Sequence, residues 1–377
     1  MPRASRSGRM APAHAVFFLL ASLQAFVAVP LWWLEFAGWL PGCAACVPAL
    51  RHAHEMLLGY AVAVIGGFLF THLSWRRLVL AVAAWGAGRA VVLADAGGAA
   101  SLLALAFPAT LAVLAGLPFL RAARSGHNLA FAPILIAFLA AEALYQAGRL
   151  GLLAQGEARG VYLAFDLVAT MILVMGGRLI PAAMAGVVRA RGDAMTDRNG
   201  PRLERVILGA MAVAGVLHVA DVPQVAVLGW TVAGAAALVR LTRWRFKAAL
   251  TVPSLWPLQL GYFLLGLGLA CAALDTWTGW WPATATLHVA TIAGMGIVTA
   301  TMMVRTLMLR ERVSAPFPRA VLAAIGLLLA AALARVASPL APAALIGLAA
   351  LAWSAAFALV GGALLGLALS ARAARRG

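Results

Sequence analysis

The chain has 377 residues, of which 64% are hydrophobic and 11% charged. An ordinary soluble domain is about 45–50% apolar, so the composition excludes a water-soluble globular fold and leaves an integral membrane protein. The formal net charge of +17 at pH 7 raises the question of nucleic acid, which the placement of the charges answers below.

Runs of about 17 to 25 apolar residues cross a bilayer as helices. Twelve are predicted, near Ala11 to Leu34, Ala53 to His72, Leu78 to Ala94, Gly98 to Leu120, Leu129 to Leu153, Val161 to Val188, Arg205 to Ala220, Val225 to Leu241, Ser254 to Leu274, Ala283 to Val304, Ala320 to Val336 and Ala343 to Ala371. The first follows a basic stretch but is too long for the core of a cleaved signal, so it reads as a retained helix. With the N-terminus inside, all of the 29 Lys and Arg fall on the cytoplasmic side except Arg51, Arg159 and Arg335 outside and Arg89, Arg149 and Arg178 within helices. That alternation obeys the positive-inside rule and puts both termini in the cytoplasm. The basicity is therefore topological, and nucleic acid is excluded as a partner.

The fold class that follows is all-α, a polytopic bundle of about twelve helices forming one membrane domain. A basic cytoplasmic loop, 189–202, joins the helix sets 1–188 and 203–377. No internal repeat relates the two sets, and no segment outside the bilayer is long enough for a separate soluble domain.

Histidine is scarce, with seven residues in all. Several of these lie near one depth. At ~1.5 Å per residue along a helix, His54 sits at the outer mouth of the second helix, and His218, Arg149, Arg89, Asp166 and His288 roughly 5 to 10 Å below the outer surface. Charged and polar groups at such depth face one another, a cavity or a bound polar group, because lipid cannot solvate them. His52 and His54 are two residues apart and point about 200° apart if both are helical, so they cannot chelate one ion from the same face. Neutral imidazole suits haem iron, copper and zinc. His52, His54, His218 and His288 are thus the candidate metal ligands, with Glu55 and Asp221 placed to accept the second ring N–H of a ligand histidine. Arg89 and Arg149 either grip haem propionates, or snorkel outward or pair with Asp166 and Glu142.

On the inner side, Gly176-Gly177-Arg178-Leu179-Ile180-Pro181 is expected to interrupt the sixth helix, since Gly-Gly relaxes it and proline removes a donor. Arg178 would then be an inner anchor, snorkelling or holding a propionate or other anion. The first outer loop carries Cys43 and Cys46, two of the three cysteines. Val47 follows in place of His, so the signature for covalent c-type haem fails. A disulfide is the leading reading there, and a thiolate copper site with His52 the alternative.

Four blocks carry a resemblance. His52-Ala53-His54-Glu55-Met56-Leu57-Leu58-Gly59-Tyr60 running on to Gly66-Gly67-Phe68-Leu69-Phe70-Thr71, then Gly176 to Pro181, then His288-Val289-Ala290-Thr291 followed by Gly294, Gly296, Thr299, Met302-Met303 and Arg305, together resemble the NnrS family of bacterial membrane proteins. Trp256-Pro257-Leu258-Gln259-Leu260-Gly261-Tyr262 is similar to a fourth block, in which the family often has His where this chain has Gln259, so a ligand role there does not carry over. The resemblance implies a twelve-helix inner-membrane protein of nitric oxide metabolism and nitrosative stress, often found alongside denitrification, with haem of b type and copper as its metals. Nitric oxide, which partitions into lipid and binds both metals, is the implied ligand. His54 and His288 are then the expected axial ligands of haem, with His218 and His52 next in line for iron or copper. Two other classes stay open: a secondary transporter with a buried polar site, and a respiratory reductase of the haem-copper type, which needs an adjacent histidine pair that is absent. Neither turnover of a substrate nor a redox partner is legible in the sequence.

Overall fold

The computed structural model describes residues 10–40, 48–70, 73–122, 131–192 and 200–375. Every apolar run is helical within it: α1 (Ala13–Phe36), α2 (Ala49–Leu69), α3 (Trp75–Leu93), α4 (Gly98–Gly116), α5 (Phe131–Arg149), α6 (Gly156–Ala190), α7 (Pro201–Val219), α8 (Pro223–Leu241), α9 (Trp256–Thr278), α10 (Ala283–Arg310), α11 (Arg319–Ala337) and α12 (Pro342–Ala374). Among the described residues ten helices are long and apolar enough to cross a membrane. The other two, α3 and α7, have 19 residues each, a length of roughly 28 Å at 1.5 Å per residue. Their lower apolarity comes from Arg76, Arg77 and Arg89 in one and Arg202, Glu204 and Arg205 in the other.

Local chemistry marks the helix ends. Proline in the first turn opens α7, α8, α9 and α12, where its missing N–H costs nothing because that group has no intrahelical partner. Gly279, at φ 65°, closes α9 in the left-handed conformation that favours glycine. Three stretches wind more loosely, with i→i+5 hydrogen bonds: Glu55–Ala61 in α2, Ala112–Gly116 in α4 and Val289–Gly296 in α10. His54 and His288 immediately precede two of them. Wide turns of this kind occur mostly as short insertions, frequently at functional sites.

Packing follows the small residues. α9 meets α10 so closely that a Cβ on Gly294 would lie 2.7 Å from the Leu265 Cα, the close backbone approach that membrane helices use in place of a hydrophobic driving force. α1 packs on α12, α11 on α12, α7 on α8, α8 on α9 and α5 on α6.

The first and last described residues lie at one end of the bundle. Met10–Ala11 forms a two-residue antiparallel pairing with Leu73–Ser74, at the start of α3. Glu311, just past α10, accepts from His14 Nε2 at 3.0 Å and forms an ion pair with Arg375 at 2.6 Å. Arg310 donates to the carbonyls of Gly67 and Phe68 at the end of α2.

Candidate functional site

The polar layer expected from depth separates into distinct clusters, because depth specifies level and the azimuth of each helix specifies the partner. The first is built on α2, α3 and α5. His54 is fully buried at 0% exposure, with Glu55 Oε1 3.2 Å from its Nδ1 and the Glu142 oxygens 3.0 and 3.1 Å from its Nε2. Tyr145 stacks on the ring at 4.0 Å. Arg89 donates to Glu55 at 2.6 Å and Gln24 donates to its other oxygen at 2.5 Å, while Gln146 donates to Glu142 at 2.7 Å. Glu55 thus touches a histidine. His54 has a carboxylate on each ring nitrogen, so coordination of a metal would require breaking one of these contacts. Arg89 pairs with Glu55, and Arg149 with Asp95 at 2.6 Å and Gln146 at 3.3 Å; both guanidiniums have protein partners other than the Asp166 and Glu142 foreseen for them.

The second cluster joins α6, α7 and α8. His218 Nδ1 lies 2.6 Å from Asp166 Oδ2, and the Trp230 indole donates to Asp166 Oδ1 at 2.6 Å. Tyr162 lies nearly parallel to the imidazole at 4.9 Å. His218 Nε2 is buried and has no hydrogen-bond partner. The carboxylate that holds this ring is Asp166. Asp221, expected in that role, instead turns out with φ 63° and pairs with Arg159 at 3.1 Å.

The third cluster stands at the outer end of α2 and α10. His52 stands in the first turn of α2 and His288 in the second turn of α10. His288 Nδ1 donates to the Thr284 carbonyl at 2.6 Å, which leaves Nε2 as the nitrogen with a lone pair. His52 stacks on Trp32 at 4.3 Å, and its Nδ1 is buried without a partner. Ala28, Leu31, Trp32, Glu35, Arg51, His52 and Glu55 line a cleft there, and Arg51 pairs with Glu35 across it. Cys43 and Cys46, whose disulfide or copper role was expected beside His52, lie outside the described residues. Cys271 is a free thiol. Among the described residues no group of three or more His, Cys, Asp or Glu side chains is placed to hold a metal ion.

At the inner end, α6 runs unbroken from Gly156 to Ala190 with Pro181 inside it, contrary to the interruption expected at Gly176-Gly177. These glycines make space. A Cβ on Gly177 would overlap the Arg240 guanidinium, and one on Gly176 would lie 3.0 Å from the Tyr262 ring. Arg240, at 0% exposure, donates to Glu204 at 3.2 Å; Arg178 donates to the same carboxylate at 2.5 and 3.3 Å and stands over the Phe131 ring. Gln259 Nε2 donates to the Trp244 carbonyl at 3.3 Å.

A family model described as NnrS protein matches residues 10–372. The chain belongs to the NnrS family. No curated protein matches it. In this NnrS chain the resembling blocks meet in pairs: Tyr60 of the first and Thr299 of the third share a hydrogen bond of 2.5 Å, and the second and fourth touch where Tyr262 donates to the Leu173 carbonyl and packs on Gly176. Trp230, Tyr162, Glu204 and Arg240 were not foreseen as members of these clusters. Trp230 alone carried a signal, since it stands two turns inside α8 rather than in the rim position where interfacial tryptophans collect.

Proposed function

We propose that this NnrS-family protein is a metal-bearing protein of the bacterial inner membrane that handles nitric oxide, with haem and copper as its metals. The observation that carries the reading is the family match over residues 10–372, beside which the structure supplies His52 and His288 near the starts of α2 and α10, with His52 lining a cleft. One has its tautomer set by a backbone carbonyl, and the other has a buried nitrogen without a partner. Two such imidazoles suit copper or haem iron. Both metals bind nitric oxide, and a centre inside the bilayer meets it where it dissolves. His54 takes no metal in this reading, since two carboxylates occupy it.

Purified full-length protein gives the test, through its optical spectrum and metal content. Iron with a Soret band, or copper, that falls on His52→Ala and His288→Ala supports the reading. A colourless, metal-free wild type sinks it and turns attention to a secondary transporter, for which the buried His54, Glu55, Glu142 and Arg89 network would be the ion-coupling site.

A further inference from the structure

α1 and α3 begin side by side, because Met10–Ala11 pairs with Leu73–Ser74 just ahead of α3. Along its length, however, α1 packs on α2 and α12. A groove of about 340 Å³ lies between α1 and α3, walled by Val16 of the first and by Trp75, Leu78, Val79, Val82 and Ala83 of the second. Trp75, Leu78, Val79 and Val82 recur at i, i+3, i+4 and i+7, the spacing of one helical face. All six walls are apolar, so the groove suits hydrocarbon and cannot solvate a charge. From Trp75 to Ala83 it runs about 12 Å at 1.5 Å per residue, most of the roughly 15 Å of hydrocarbon in one leaflet.

The mouth of the groove supplies the opposite chemistry. Arg76 stands three residues before Val79 and seven before Ala83, on their side of α3, and Arg77 follows it. Both arginines are exposed, and among the described residues neither has a hydrogen-bond or ion-pair partner. Side chains on a helix lean toward its N-terminus, which for α3 is the cytoplasmic end by the positive-inside rule. Trp75, at 63% exposure, shares that turn, an amphipathic ring where headgroups meet acyl chains. Hydrocarbon below and a free guanidinium above match one class of molecule in the membrane. We propose that the groove is a site for an anionic phospholipid of the cytoplasmic leaflet, with an acyl chain between α1 and α3 and the phosphate on Arg76. A zwitterionic phospholipid fits the walls equally well, so the charge at the mouth separates the two. One arginine near an anionic membrane surface changes binding roughly fivefold.

The test is native mass spectrometry of detergent-purified full-length protein titrated with phosphatidylglycerol or phosphatidylethanolamine, with size-exclusion profiles to show that each variant is folded. Wild type is expected to retain one phosphatidylglycerol in preference to phosphatidylethanolamine. Arg76→Gln should narrow that preference roughly fivefold, and Ala83→Trp, which fills the groove, should abolish retention of either lipid. Val232→Trp, on an open face of α8 at 47% exposure, should leave retention unchanged. Equal retention of the two lipids by wild type, an unchanged preference in Arg76→Gln, or a lipid still held by Ala83→Trp overturns the proposal. A mass of two chains that Ala83→Trp returns to one would put a second copy in the groove and overturn it as well. If Ala83→Trp does not fold, fluorescence decides. Phosphatidylglycerol brominated on its acyl chains should quench a larger fraction of the tryptophan emission in wild type than in Trp75→Phe, and equal fractions would count against the site.

Discussion

Replacing Gly177 with alanine would put a methyl group where the Arg240 guanidinium now lies. That guanidinium cannot swing into solvent, because Arg240 is fully buried and its Nη2 is held by Glu204. If it shifts while keeping Glu204, the cost is that of overpacking, about 1–3 kcal/mol. If the pair breaks, an uncompensated buried charge costs about 3–5 kcal/mol. Alanine recovers about 1 kcal/mol over glycine in a helix interior, so the net loss should be about 0–2 kcal/mol if the pair is kept and about 2–4 kcal/mol if it breaks. Gly362→Ala in α12 is the control, because nothing lies within 4 Å of the added carbon, and there only the propensity gain should appear. The sign is decisive: a glycine that serves to loosen α6 would be stabilised by alanine, whereas one that makes room for Arg240 would be destabilised. Thermal unfolding in detergent, followed by the loss of the monodisperse size-exclusion peak, measures it. A Gly177→Ala midpoint at or above that of wild type would refute the packing account.

Glu142→Ala should destabilise by about 1–3 kcal/mol, since His54 and Gln146 lose a buried acceptor, and Glu142→Gln by less; the same thermal assay ranks them. Glu311→Ala should lower the midpoint chiefly through His14, because the partner Arg375 is 61% exposed and such pairs contribute at most about 1 kcal/mol; Arg375→Ala alone should therefore be close to neutral. A reporter fused after Gly377 should be active only in the cytoplasm and one inserted at Gly151 only in the periplasm, and the opposite result would invert the bundle.

The membrane bundle was legible because its cause is one-dimensional: run length against bilayer thickness, and arginine against the translocation barrier. α3 and α7 were legible too, although their charges make them less apolar than the rest, since Arg76, Arg77, Arg202 and Arg205 sit within the first five residues and Arg89 within the last five. The clusters were harder to read because a contact across helices depends on rotation about each axis. Depth alone set His54, His218 and His288 in one layer, and the structure divides them among three sets of neighbours. Asp221 is close to His218 in sequence, yet a left-handed residue turns it outward, and the carboxylate that reaches the ring comes from Asp166, 52 residues away. The Gly-Gly pair reads alike as weakness or as space until Arg240, from another helix, is seen to fill it.

The loosened windings after His54 and His288 have a consequence for anyone editing these helices. Each i→i+5 turn absorbs an additional residue into the cylinder, so a wheel drawn at ordinary pitch places every side chain downstream on the wrong bearing. Excising one amino acid from Glu55–Ala61 or Val289–Gly296 should relax the coil to common pitch while the chain beyond keeps its bearing. A matching excision from the evenly wound α12 should instead rotate all that follows by about a quarter of a turn, since a residue occupies 1/3.6 of a revolution.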